Sequence, residues 1–116
     1  MLEHFRAPRN VGRVDRPSGT GRAENQACGD QVDLSVRLVS GRIEEARFLC
    51  QGCSAAIGAA SYLTEILRGQ SLARALALDA DQLLQKLGET RSARRHGMVL
   101  AVRAARRALK EAGAGI

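Results

Sequence analysis

The sequence predicts one domain with its sheet in the first half and its helices in the second. Three observations carry this reading. Apolar and polar residues alternate through residues 32–38, and a second strand run, 42–50, returns from the turn at Ser40-Gly41. From residue 54 onward the apolar residues recur at helical spacing instead. The chain has 116 residues, the size of a single domain spanning residues 1–116, and shows no internal repeat or linker.

The elements follow in order. Residues 1–6 read as one short helical turn, broken at Ala7-Pro8 because proline cannot continue a helix. Residues 13–21 hold Pro17, Gly19 and Gly21 and read as a loop, with a weakly signalled strand from Arg22 to Gln26. Ala27-Cys28-Gly29-Asp30 punctuates the chain. Val32, Leu34, Val36 and Leu38 then share one face of a strand, with Asp33, Ser35 and Arg37 on the other. Ser40-Gly41 is a tight turn. The return strand, Arg42 to Cys50, puts Ala46, Phe48 and Cys50 on one face. In a hairpin folded at Ser40-Gly41, Cys28 and Cys53 lie about equally far from the turn, which makes them neighbours at its open end.

Cys53 sits where that strand gives way to a helix. Gly52 frees the backbone before it, and Ser54 can cap the helix. A thiol at a helix N-terminus feels the positive end of the dipole, which favours the metal-binding thiolate. The competing reading is a small buried thiol at a strand–helix joint. The first helix, residues 54–68, carries Ala56, Ala59, Ala60, Leu63, Ile66 and Leu67 on one stripe and ends at Gly69. Ser71 caps a short helix to Leu78, and Asp79 caps another to Leu87. The last helix starts between Thr90 and His96 and runs to about Ala112. Its apolar stripe is Val99, Val102, Ala105 and Leu109. Arg103, Arg106, Arg107 and Lys110 form a basic face, read first as solvated surface and second as a partner-binding surface.

Composition narrows the function classes. Hydrophobic residues make up 45% of the chain but include no Trp, one Tyr and two Phe, so the core is aliphatic and alanine-rich. No apolar run approaches the roughly 18 residues of a membrane helix, and the N-terminus has no hydrophobic signal region, so a cytoplasmic location is expected. Three cysteines in such a chain read as ligands or reactive thiols rather than a disulfide framework. A net charge of +6 fits an acidic protein partner or nucleic acid, but the scarcity of aromatics argues against a base-stacking nucleic-acid platform.

Cys28-Gly29-Asp30 before the hairpin, Gly52-Cys53-Ser54-Ala55-Ala56-Ile57 after it and His96 in the last helix combine into a constellation. It resembles the IscU/NifU/SufU-type iron–sulfur cluster assembly scaffolds. The likeness extends to His4-Phe5-Arg6-Ala7-Pro8-Arg9-Asn10-Val11-Gly12, Ile43-Glu44-Glu45-Ala46-Arg47-Phe48, Leu63-Thr64-Glu65 and Gly69-Gln70-Ser71-Leu72. The resemblance implies an α+β fold, a three-stranded antiparallel sheet with helices packed on it. It implies a scaffold or carrier rather than an enzyme, holding a labile iron–sulfur cluster, with 2Fe–2S the expected type. A cysteine desulfurase would supply sulfur, and recipient apo iron–sulfur proteins would take the cluster. The implied metal ligands are Cys28, Asp30, Cys53 and His96. His4 reads as a surface or packing residue without a site role.

The chain departs from the family pattern in three places. The family's third cysteine directly follows the site histidine, and here that position is Gly97, which can neither ligate nor accept sulfur. A cysteine restored at Gly97 is expected to sit in the first turn of the last helix and add a soft ligand. Thr90-Arg91-Ser92-Ala93-Arg94-Arg95 replaces the Leu-Pro-Pro-Val-Lys segment, which argues against handover through the chaperone that reads it. Cys50 is extra, either a buried core thiol or a replacement ligand in Cys-x-x-Cys spacing with Cys53. Two other classes stay open. One is a zinc protein of the same fold, using the same four ligands. The other is a binding module that keeps the fold without the chemistry.

Overall fold

The computed structural model describes residues 4, 7–27, 29–88 and 92–114, leaving aside the side chains of 92–94. Three strands, β1 (Gly19–Asn25), β2 (Asp30–Val39) and β3 (Arg42–Gln51), precede four helices. These are α1 (Ser54–Leu67), α2 (Leu72–Leu76), α3 (Ala80–Lys86) and α4 (Ser92–Ala114). The sheet order is β1-β2-β3, antiparallel throughout. Helix α4 lies over β1 and β2 and against α1, which covers β3. No helix among the described residues is long and apolar enough to cross a membrane.

The hairpin forms as the alternation requires. Val39 pairs with Arg42, and the two residues between them, Ser40 and Gly41, have φ of 53° and 76°. Left-handed geometry at both positions matches the right-handed twist of the strands. Val32, Leu34 and Val36 of β2 and Ala46 and Phe48 of β3 face the core. The pairing shifts register between Arg37 and Leu38. The opposite face of β2 is not all solvent: Ser35 is buried, and its hydroxyl accepts the Val14 N–H at 2.9 Å.

One element differs from the sequence reading. The segment read as loop over 13–21 already contains the start of β1, at Gly19. Gly19 and Gly21 are there for close approach. A Cβ on Gly21 would collide with the Ala104 carbonyl and stand 2.5 Å from the Ala108 nitrogen. One on Gly19 would stand 2.7 Å from the Ala112 nitrogen. The α4 backbone rests almost directly on β1, over a face of buried Ala101, Ala104, Ala105, Ala108 and Ala112.

The short helices are capped as expected. The Ser71 hydroxyl accepts the Arg74 N–H at 3.2 Å, and the Asp79 carboxylate accepts the Asp81 N–H at 3.0 Å. The N-terminal segment is tied to α1. The Ser61 hydroxyl meets the His4 Nδ1 at 2.6 Å and accepts the Arg9 N–H at 2.8 Å. His4 is buried, edge-on to Tyr62 with ring centroids 5.7 Å apart, so it is a packing residue. The rest of the expected helical turn at 1–6 lies outside the described residues.

Because α4 sits on bare backbone at β1, Gly21→Ala is expected to destabilise the fold by about 1–3 kcal/mol. Thermal unfolding followed by circular dichroism should show Tm lower by roughly 4–12 °C.

Candidate metal centre

The site forms where β2 begins, where β3 hands over to α1, and in the second turn of α4. Asp30 opens β2 opposite Asn25 and is 3% exposed. Its Oδ1 accepts the Cys53 backbone N–H at 3.0 Å. Its Oδ2 lies 3.3 Å from the Cys53 Sγ and 3.3 Å from the His96 Nε2. The Sγ and the Nε2 are 3.7 Å apart. One ligand atom from each of the three residues thus falls within 4.8 Å of the others. A cleft of about 480 Å³, open to solvent and lined by Asn25, Asp30, Gly52, Cys53 and His96, leads to them.

Local structure explains each placement. Cys53 itself is the N-cap of α1, with φ −75° and ψ 162°, and Ser54 is the first helical residue. This corrects the reading of Ser54 as cap. No side chain closes the cap; instead the Cys53 carbonyl accepts the Ala56 and Ile57 N–H groups at 3.1 and 3.3 Å. Gly52 has φ +143°, which favours glycine, and a Cβ there would stand 2.7 Å from the Asp30 carboxyl carbon. Glycine at 52 therefore leaves room for a buried carboxylate beside the thiol. Sequence reasoning assigned Gly52 the backbone role but missed this second one.

The structure brings together Asp30, Cys53 and His96. Cys28 lies outside the described residues. Cys50 is half-buried, pairs across to Val32 and packs against the core, as its strand face predicts. Burial, with smaller contributions from Asp30 and Cys53, pushes its thiol up to about 11. That favours the core-thiol reading over a replacement ligand. Arg103, Arg106, Arg107 and Lys110 are all exposed on α4. Two of them clip that helix to its neighbours: Arg106 donates to the Leu78 carbonyl at 2.8 Å, and Arg107 donates to the Arg22 carbonyl.

Gly97 does not occupy the place expected of it. Helix α4 begins at Ser92, so Gly97 is its sixth residue, past the first turn. It is buried, and a Cβ there would stand 2.9 Å from the Ala55 carbonyl carbon and oxygen. Of the segment that departs from the chaperone-reading motif, Thr90 and Arg91 lie outside the described residues.

Residues 1–113 match the family described as the NifU-like N terminal domain. The chain belongs to this family. Among relatives, it is 35% identical over 109 residues to an iron-sulfur cluster assembly scaffold protein IscU of Archaeoglobus fulgidus, spanning 94% of this chain and 71% of that one. It is 37% identical over 91 residues to the IscU scaffold of Haemophilus influenzae, spanning 75% and 72%. The fold of this NifU-like domain is shared with the N-terminal NifU-like protein of Brucella abortus, at TM-score 0.79 and 14% identity over 99% and 92% of the chains. It is shared also with a protein of Fervidobacterium islandicum described as a putative SUF-system scaffold, at TM-score 0.73 and 16% identity over 93% and 92%. The resemblance read from the motifs and the three-stranded α+β fold both hold.

The two described thiols of this NifU-like domain differ in exposure, and burial raises the Cys50 thiol, which together predict their labelling. At pH 8 iodoacetamide should modify exposed Cys53 well before Cys50, whose shift from 9.0 to about 11 cuts its thiolate about a hundredfold. Peptide mapping of a time course reads both rates.

Proposed function

We propose that this chain is an iron–sulfur cluster assembly scaffold that holds a labile cluster, of 2Fe–2S type, and passes it to recipient apoproteins. The observation that carries the reading is the convergence of Asp30, Cys53 and His96 within 4.8 Å at the mouth of an open cleft. Family membership and the scaffold names of its relatives support it. Cys28, two residues before Asp30 in the chain, supplies the second thiolate in this reading. A cysteine desulfurase provides sulfur, and the protein acts as carrier rather than enzyme.

The chemistry follows from the donor set. A bound metal would replace the Cys53 thiol proton, which would leave to solvent through the open cleft, and the Asp30 Oδ2, 3.3 Å from that thiol, would serve as a donor beside it. Thiolates grip iron–sulfur clusters firmly, whereas carboxylate and imidazole grip less. Two thiolates with Asp30 and His96 therefore hold a cluster that a recipient with more cysteines can take. The cleft gives the recipient access, since His96 is 40% exposed at its rim.

One observation favours a second reading, a single zinc ion on the same residues. Tetrahedral zinc, with bonds of about 2.0–2.3 Å, sets its ligand atoms roughly 3.3–3.8 Å apart. The three separations here are 3.3, 3.3 and 3.7 Å. Such an ion would be a resting occupant that iron and sulfide replace.

Reconstitution with ferrous iron and sulfide under anaerobic conditions tests the proposal. The wild type and Cys50→Ser should acquire visible charge-transfer absorption, and Cys53→Ser should not. The cluster should yield to a chelator faster than that of a four-cysteine ferredoxin. Zinc bound one to one in the purified protein, with no colour on reconstitution, would support the second reading and sink the first. Neither metal nor colour would leave a binding module of the same fold.

A further inference from the structure

Gly97 stands inside the longest helix, in its second turn, where glycine costs about 1 kcal/mol relative to alanine. Its backbone is ordinary α-helix, so no unusual φ calls for it. Space does. The Cβ of any other residue would stand 2.9 Å from the Ala55 carbonyl carbon and oxygen and 3.0 Å from the Ala56 nitrogen. These are backbone atoms of the first turn of α1, and no rotamer change can move them aside. Helix α4 touches α1 here without an intervening side chain.

The residues flanking this contact are the ligands. Cys53 precedes Ala55 by two positions as the N-cap of α1, and His96 immediately precedes Gly97. The distance between the two helices at Gly97 is therefore tied to the 3.7 Å between the Cys53 Sγ and the His96 Nε2. We propose that Gly97 is a positioning residue: its bare-backbone contact with Ala55 draws α4 in until His96 reaches the ion bound by Asp30 and Cys53. The proposal rests on the reading of those three residues as a metal site.

An ordinary Cβ contact begins near 3.4 Å, so a side chain at 97 must open the contact by about half an ångström. Metal–ligand bonds tolerate about 0.2 Å. A substitution at 97 thus pulls His96 out of range, and a thiol there forces the helices apart before it can ligate. This reverses the expectation that Gly97→Cys adds a ligand.

Cobalt(II) alone is the probe, added anaerobically to the reduced full chain and followed by its d–d and thiolate charge-transfer absorption. Wild type should bind with tetrahedral intensity. Gly97→Ala should bind about tenfold to a hundredfold more weakly, the range seen when a ligand's supporting contacts are lost. Gly97→Cys should bind no more tightly than wild type. Gly21→Ala makes the same kind of collision with the α4 backbone, at Ala104, about 12 Å along the helix from His96. It should lower Tm yet keep wild-type affinity. In a His96→Ala background, Gly97→Ala should cause no further loss, because the ligand it positions is gone. Should Gly97→Ala be largely unfolded in buffer, the titration in sucrose restores the folded state and reads the same affinities. Equal binding by folded Gly97→Ala and wild type, equal weakening by Gly21→Ala, additive loss in the double variant, or tighter binding by Gly97→Cys would each overturn the proposal. Absence of cobalt binding by the wild type would instead overturn the metal-site reading beneath it.

Discussion

The close seating of α4 on the layers beside it is the constraint on which the fold depends, and its contact with α1 lies beside the candidate metal centre. The helix meets β1 through Gly19 and Gly21, meets α1 through Gly97, and turns a buried face of alanines to the sheet. With two Phe, one Tyr and no Trp, the chain cannot fill a wide gap between helix and sheet. Narrow spacing is the alternative that still reaches interior packing density. The large fully buried side chains include Phe48, Leu34, Ile43, Leu63, Leu67, Leu83, Met98 and Leu109. The consequence is positional accuracy. A helix held by backbone contact has little freedom to slide, and the contact next to His96 is the one Gly97 makes with Ala55 of α1.

The other two residues of the candidate site, Asp30 and Cys53, are fixed by a different interaction. Asp30 is a buried carboxylate, which is costly unless hydrogen-bonded. The Cys53 N–H satisfies one of its oxygens, and the Cys53 thiol and His96 meet the other. Gly52 admits the carboxylate by having no side chain to exclude it. The first residue of β2 and the first cap of α1 are thereby locked together at the open end of the hairpin. The two strands bring them there in register, since Gln31 pairs with Gln51 one step inward. Sheet register, helix cap and proposed metal ligand are three roles that fall on the same few residues.

Much of this was legible in the chain. The β2–β3 hairpin followed from alternation and the Ser40-Gly41 turn, and the α2 and α3 caps followed from Ser71 and Asp79. Equal strand lengths placed Cys28 beside Cys53, a pairing that lies outside the described residues, while Asp30, which meets Cys53, came from the family resemblance; the buried face of Cys50 followed from its spacing with Ala46 and Phe48. The misread glycines share one cause. Gly19 and Gly21 read as loop residues, and Gly97 read as a vacancy in a ligand set, yet all three mark a backbone brought close to another backbone. Glycine signals flexibility and close approach with the same letter, and only the partner surface tells them apart. The cap was misplaced by one residue because serine is the commoner cap, whereas here the Asp30 carboxylate fixes the N–H of Cys53 and so starts the helix a residue earlier.

These constraints bear on how a scaffold can both bind and release. A site built from flexible loops would release easily but would spend binding energy on ordering its ligands. Here Asp30, Cys53 and His96 already stand at ligating distances, each on a regular element or its cap. Pre-organisation lowers the ordering cost, so weaker donors suffice to hold the cargo. On the proposed function, release then comes from chemistry rather than motion: carboxylate and imidazole exchange for a recipient's thiolates without the scaffold unfolding. At position 97 there is no room for a further thiolate, since a Cβ would stand 2.9 Å from the Ala55 backbone; on the proposal made above, the glycine instead sets the geometry of the donors on either side of it.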